Sequence, residues 1–310
     1  MAQKAPVFQC TSLAKKYHGK TALENVTLTQ EQGKIYGLIG QNGAGKTTLM
    51  RIIAGLAFPT SGTIALFGEA SRLDAVRKQC GFRIESCGLN LSMSARENIE
   101  LHGTIRGLKL TLADVDELLG WVGLENTRKK TRSYSLGMKQ RLGIALALIG
   151  YPKYLVLDEP INGLDPLGVV EIRNMLKRLR EEKGMTILIS SHNLPELFQT
   201  ATDYIIIDRG KIVEELSLQE LAAKCKKYIR VRTDEPERLR AVLKAALPTA
   251  ETQLCADGSI RIFDCCDRLD ELAGLFHQNQ LLIRELTVTG DTLEQYFLSL
   301  LGGDCHAKPA

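Results

Sequence analysis

Hydrophobic positions follow two regimes over the first two thirds of the chain. Short apolar runs bounded by glycine, proline and polar residues predict strands at 7–13, 22–28, 34–39, 63–66, 81–84, 154–157, 186–190, 204–208 and 211–216. Runs such as Tyr154-Leu155-Val156-Leu157 and Thr186-Ile187-Leu188-Ile189 show no polar alternation, which marks strands buried on both faces. Residues 46–54 read as helix. From Ser94 to Ile149 the spacing is helical, with an apolar stripe through 112–122 and a run of small and apolar residues over 142–149. Buried strands alternating with helices predict an α/β domain around a mostly parallel sheet covered on both faces, with an all-helical insertion at about 86–150.

The pattern changes near residues 224–227. Beyond it, strand 228–233, helix 236–247, strands 251–255 and 259–263, helix 267–278, strand 281–289 and helix 292–301 are predicted. Leu239, Val242, Leu243 and Leu247 line one helical face, and Leu269, Leu272 and Phe276 another. The order β-α-β-β-α-β resembles a ferredoxin-like module. The expected plan is therefore a large domain at 1–226, a small α+β domain at 227–301 and a frayed tail at 302–310. The small domain carries no catalytic constellation, so an accessory or docking role is expected of it.

Composition excludes several classes. At 310 residues, 44% hydrophobic and 25% charged, the chain can bury a large core and a small one. Forty basic against 36 acidic residues leave a net charge of +4, far from the concentrated basic field of a dedicated nucleic-acid binder, and no nucleic-acid partner is expected. The densest basic run, Arg128 to Arg132, reads as a solvated loop. Eight cysteines include no Cys-x-x-Cys pair, which favours reduced cytosolic thiols over disulfides or zinc. No signal-peptide core is found, and no stretch approaches the roughly 18 uncharged apolar residues of a membrane span. If the protein works at a membrane, a partner must supply the span.

The strongest local motif is Gly40-Gln41-Asn42-Gly43-Ala44-Gly45-Lys46-Thr47, which follows a predicted strand and opens a predicted helix. Glycines let successive backbone N–H groups curl around phosphates, and the helix adds its open N–H groups and positive end. Lys46 is expected on the β- and γ-phosphates, Thr47 on Mg²⁺ and Thr48 near the α-phosphate. Tyr154 to Leu157 then delivers Asp158 toward the metal, with Glu159 placed to polarise an attacking water. Further back, Ser135-Leu136-Gly137-Met138-Lys139-Gln140-Arg141 opens a helix, and a serine hydroxyl, a glycine N–H and a helix N-terminus make a second anion site. Ser135 also has the chemistry of a plain helix cap, and the two roles are compatible.

Together these residues resemble the ATP-binding subunits of ABC transporters, over roughly residues 7–216. Ser135 to Arg141 is similar to that family's signature loop, usually spelled Leu-Ser-Gly-Gly-Gln, from which Tyr134, Leu136 and Met138 depart. The resemblance implies a P-loop NTPase fold of the ABC type, ATP and Mg²⁺ as cofactors, and an ATPase. It further implies Tyr17 stacked on adenine, Asp165 in a loop crossing a dimer, and His192 at the γ-phosphate. His18, His102, His277 and His306 have no such support. Where most relatives place glutamine after strand 81–84, this chain has Glu85, a carboxylate that can ligate Mg²⁺ but, ionised, cannot donate to water. Glu85 and the altered signature are similar to the bacitracin and lantibiotic class of peptide-antibiotic exporters.

What the resemblance implies is a head-to-tail dimer, the partners being a second identical subunit and a separate multi-span membrane subunit docked near 85–91 and the helical insertion, at the cytoplasmic face of the membrane. A soluble ABC ATPase acting on ribosomes or DNA is a second reading, but such relatives carry paired cassettes or long coiled-coil or zinc insertions. A P-loop kinase or GTPase is a third, and it leaves Ser135 to Arg141 and His192 unexplained.

Overall fold

The computed structural model describes residues 5–300 except 86, 87, 192, 193, 226, 248, 249, 256, 264, 291–295, 298 and 299. The chain forms two compact units, Met1–Leu218 and Gln219–Ala310. The division lies ahead of the boundary expected at 226, because it falls within a short helix, Leu218–Lys224, whose first N–H still bonds Thr202 O of the first unit at 2.9 Å.

Two sheets build the first unit. Strands β1 (Phe8–Tyr17) and β2 (Lys20–Gln30) form an antiparallel sheet with β4 (Ser61–Leu66) in the order β2-β1-β4, beside the main sheet rather than within it. The main sheet contains β3 (Ile35–Ile39), β5 (Cys80–Arg83), β6 (Tyr154–Leu157), β7 (Thr186–Ser191), β8 (Asp203–Asp208) and β9 (Lys211–Ser217), in the order β5-β6-β7-β3-β8-β9. All its pairings are parallel except β8 with β9. Strands β3, β6 and β7 are buried at every position, as their unbroken apolar runs require. Helix α1 (Lys46–Ala54) buries Leu49, Met50, Ile52 and Ile53 between the sheets, each side chain worth about 2 kcal/mol of transfer free energy. The thiols of Cys10 and Cys80 lie in the same core, and burial pushes both up to about 12.

Helices α2 (Leu73–Arg77), α3 (Ala95–Ile105), α4 (Leu112–Trp121) and α5 (Leu136–Leu148) follow; the last three form the insertion. Two capping boxes start it: Ser94 with Glu97, and Thr111 with Asp114. Backbone and side-chain hydrogen bonds from Ser94 and the ammonium of Lys130 hold the Glu97 carboxyl down at about 2. Helix α6 (Pro166–Lys183) starts at an Asp165 cap and ends at Gly184; α7 (Leu194–Thr200) follows, and the boundary helix 218–224 is α8. The insertion meets α6 along a charged aromatic seam. Arg178 lies 4.8 Å and Lys183 5.6 Å from the Trp121 ring centroid, Lys183 also lies 4.5 Å from that of Tyr151, and Glu117 pairs with Lys183 at 3.2 Å.

The second unit contains β10 (Lys227–Thr233), α9 (Pro236–Ala246), β11 (Thr252–Leu254), β12 (Ile260–Phe263), α10 (Leu269–Gln278) and β13 (Ile283–Gly290). Its antiparallel order β11-β12-β10-β13 is that of a ferredoxin-like sheet. Ile229, Val231, Ile260 and Ile262 face Leu239, Leu243, Leu272 and Phe276 of the helices. The helix expected at 292–301 falls mostly outside the described residues. No described helix is long and apolar enough to cross a membrane.

Gly81 sets how closely β5 approaches the end of α5. A Cβ there would stand 2.1 Å from Ala147 O and 2.9 Å from Pro152 Cγ. Gly81→Ala is expected to lower stability by about 1–3 kcal/mol, measured by urea denaturation of the purified chain.

Candidate functional site

Parallel strands β3, β5, β6 and β7 end at one edge of the main sheet, and the loops leaving that edge carry most of the expected site residues. Gly40 to Gly45 connects β3 to α1. Gly45 has φ 112 and Gly43 φ 84, conformations that glycine reaches without the strain a side chain brings. At Gly40 a Cβ would stand 2.4 Å from Ile207 O, so the loop is pressed against β8. Helix α1 begins without a side-chain cap and without an acid in its first turn, which leaves its first N–H groups and positive end for an anion.

Lys46 is only 6% exposed. Its ammonium donates to Gly40 O at 2.6 Å and Gln41 O at 3.2 Å, so it lies curled into the loop formed by Gly40, Gln41, Asn42, Gly43, Ala44 and Gly45. Burial lowers its pKa, and Glu159 and Asp158 pull the other way. A buried cation, glycine-lined backbone and an uncapped helix end fit the triphosphate of ATP. Thr47 Oγ1 donates to Asp158 Oδ2 at 3.0 Å, which pairs a hydroxyl with a carboxylate as a Mg²⁺ site of this kind needs. Thr48 is the next residue of α1.

Asp158, 7% exposed, also accepts from Ser190 Oγ at 2.6 Å, and its carbonyl accepts from Arg83 Nη1 at 3.0 Å. Glu159 takes φ 48, a left-handed conformation that costs a non-glycine residue of order 1–3 kcal/mol. Its N–H donates to the same Ser190 Oγ at 2.9 Å. Ser190 thus fixes both acids. Sequence reasoning missed Ser190, which precedes Ser191 and His192; the signal available for it is a hydroxyl at the end of an apolar, fully buried strand. His192 lies outside the described residues.

Glu85 goes elsewhere. Its Oε1 lies 2.5 Å from Arg51 Nη2 on α1, and among the described residues no three His, Cys, Asp or Glu side chains gather as a metal group. Thr47 and Asp158 are joined; Glu85 is not joined to them. Tyr17 ends β1, half-buried, with Lys15 Nζ 4.7 Å from its ring centroid.

The signature residues occupy a separate place. Ser135 caps α5, its Oγ accepting from Met138 N–H at 3.2 Å, so the capping role is realised. Ser135, Gly137, Lys129, Tyr134, Leu164 and Asp165 line a cavity of about 450 Å³ whose walls include none of residues 40–48. Asp165 caps α6, accepting from Gly168 N–H at 3.3 Å. One buried side chain ties the two places together: Gln140 accepts from Arg83 Nη2 and donates to Asn162 O at 2.8 Å. Ser190→Ala is expected to lower nucleotide turnover about 10–100-fold while changing nucleotide affinity little, because it removes the group that orients Asp158 and Glu159; steady-state kinetics and equilibrium titration of the variant check this.

Known proteins share this arrangement. Residues 23–162 match the family described as ABC transporter. The chain is 37% identical over 300 residues to the bacitracin transport ATP-binding protein BcrA of Bacillus licheniformis, covering 96% of this chain and 98% of that one. It is 45% identical over 206 residues to the lantibiotic transport ATP-binding protein SrtF of Streptococcus pyogenes, covering 66% and 88%. Among solved structures it is similar to cbiO1 of Clostridium perfringens, part of the ABC transporter complex cbiONQ, with TM-score 0.63, 28% identity and coverage of 79% and 97%. It is also similar to the dimeric ATP-binding cassette MJ0796 bound to ADP and Pi, with TM-score 0.62, 26% identity and coverage of 68% and 98%. A buried P-loop lysine, a Thr47–Asp158 pair and full-length likeness to such proteins place this chain in the ABC transporter family, as an ATP-binding subunit that hydrolyses ATP with Mg²⁺ in support of transport.

Proposed function

We propose that two copies of this ATPase close head to tail around two ATP molecules and thereby drive a separate multi-span membrane subunit that exports a peptide antibiotic or similar drug. One observation carries the dimer: the cavity beside Ser135 and Gly137 contains no residue of the phosphate loop, so each chain holds half of a site that a second copy can complete. The full-length likeness to BcrA and the likeness to SrtF support the cargo class. By likeness to the ATP-binding subunits named above, the chain is assigned to the cytoplasmic face of the membrane as a peripheral subunit. The ferredoxin-like unit is assigned an accessory role.

Bound Mg²⁺-ATP supplies the transferable phosphoryl group and a cation that offsets its charge. Around it, residues 40–45 give backbone N–H groups, Lys46 turns its ammonium from carbonyls to phosphate, and Thr48 adds a hydroxyl. Thr47 and Asp158 hold the metal. Glu159, fixed through its own N–H by Ser190, orients a water and accepts its proton. Tyr17 offers an aromatic face to adenine, and His192, next in sequence after Ser191, is assigned to the terminal phosphate from the family resemblance alone. Ser135 and Gly137 of the second copy close the site, with Asp165 in the loop between them.

Glu159→Gln is expected to bind ATP as the parent chain does, to lose about 10²-fold or more in turnover and to accumulate ATP-dependent dimers. Light scattering with ATP and a phosphate-release assay test this; turnover at the parent rate would remove Glu159 from its role.

A further inference from the structure

Three carboxylates leave one edge of the main sheet side by side. Strands β5 and β6 are parallel, with Arg83 opposite Leu157, so Glu85 follows β5 at the same end of the sheet at which Asp158 and Glu159 follow β6. A triphosphate adds negative charge at that end, and like charges brought together there oppose one another. Two cations of α1 face them. Lys46 acts electrostatically on Asp158 and Glu159, and Arg51 reaches Glu85 at 2.5 Å. The two side chains of this second pair are 39% and 55% exposed, so it contributes little to stability. Its geometry is nonetheless specific. Glu85 takes φ 60, an uncommon conformation for a residue with a side chain, and its carboxylate meets Arg51, one turn further along α1 than Thr47. The same guanidinium is held charged first by Glu85 and also by Tyr17, so it lies between the residues assigned to adenine and to the loop after β5.

We propose that Arg51 is a positioning residue for the ATPase reaction. It neutralises Glu85 and holds it beside α1, which leaves Asp158 and Glu159 as the carboxylates that face metal and water. The proposal rests on the phosphate-site reading given above.

The test is a double-mutant cycle in the purified full chain: Arg51→Gln, Glu85→Gln, the double variant, and Arg51→Lys as the conservative rescue, with melting temperature recorded for each. Arg51→Gln is expected to raise KM for Mg²⁺-ATP roughly two- to fivefold, the factor that a partly exposed ion pair supplies, with a much smaller change in kcat. In the Glu85→Gln background the same substitution is expected to have little further effect, and Arg51→Lys to recover most of the affinity. An equal rise in KM in both backgrounds, or no rise in either, overturns the proposal. Lys46→Ala serves as the separate control: if it keeps the parent turnover, the phosphate-site reading itself fails, whatever the cycle shows.

Discussion

A carboxylate buried to 7% exposure is tolerated only when its oxygens are occupied, and Asp158 meets that condition by drawing several elements to one point. Thr47 comes from α1 and Ser190 from β7, each donating to a different oxygen of the side chain, while Arg83 of β5 binds the carbonyl. Removing any of these partners leaves a buried acceptor short of a donor, so the positions of the phosphate loop and three strand ends are set jointly. Arg83 extends the arrangement through Gln140 to Asn162, from the nucleotide edge to the helix that begins at Ser135. In the head-to-tail dimer proposed above, a second copy seated at Ser135 would therefore meet a side-chain network that runs back to Asp158.

Charge is managed by the same economy of position. Lys46 is buried and partly disfavoured as a cation by that burial, yet two acids and the carbonyls of its own loop keep it usable. Glutamate at 85 adds a third acid to the edge, and Arg51 answers it from the exposed side of the same helix that supplies Lys46. One helix thus provides both cations.

Much of this was legible in the residues themselves. Gly40 to Thr47, Asp158 and Glu159 could be read because their chemistry is local: a loop, a strand end and a helix start, each contiguous in sequence. The apolar runs of β3, β6 and β7 marked buried strands for the same reason, and the leucines of α9 and α10 marked their buried faces. Ser190 and Arg51 were harder, since their partners lie 32 and 34 positions away and neither side chain stands out by type. The separation of β1, β2 and β4 into their own antiparallel sheet was not readable from periodicity, which gives the faces of a strand but not its neighbours. Arg128 to Arg132 read as a solvated loop and its basic residues are exposed; what the sequence did not indicate is that Lys130 pairs with Glu97 at the start of α3 and that Lys129 lines the cavity at Ser135.

The seam at Trp121 bears on how the helical insertion is carried. Lys183 reaches two aromatic rings and one carboxylate by a flexible stem, and an ammonium over a ring has no narrow preferred direction. The energy of such a contact changes slowly with angle, unlike that of interlocked leucines. At α6 the insertion is therefore held by contacts closer to a ball joint than a weld, whose energy would survive small changes of angle that interlocked leucines would not.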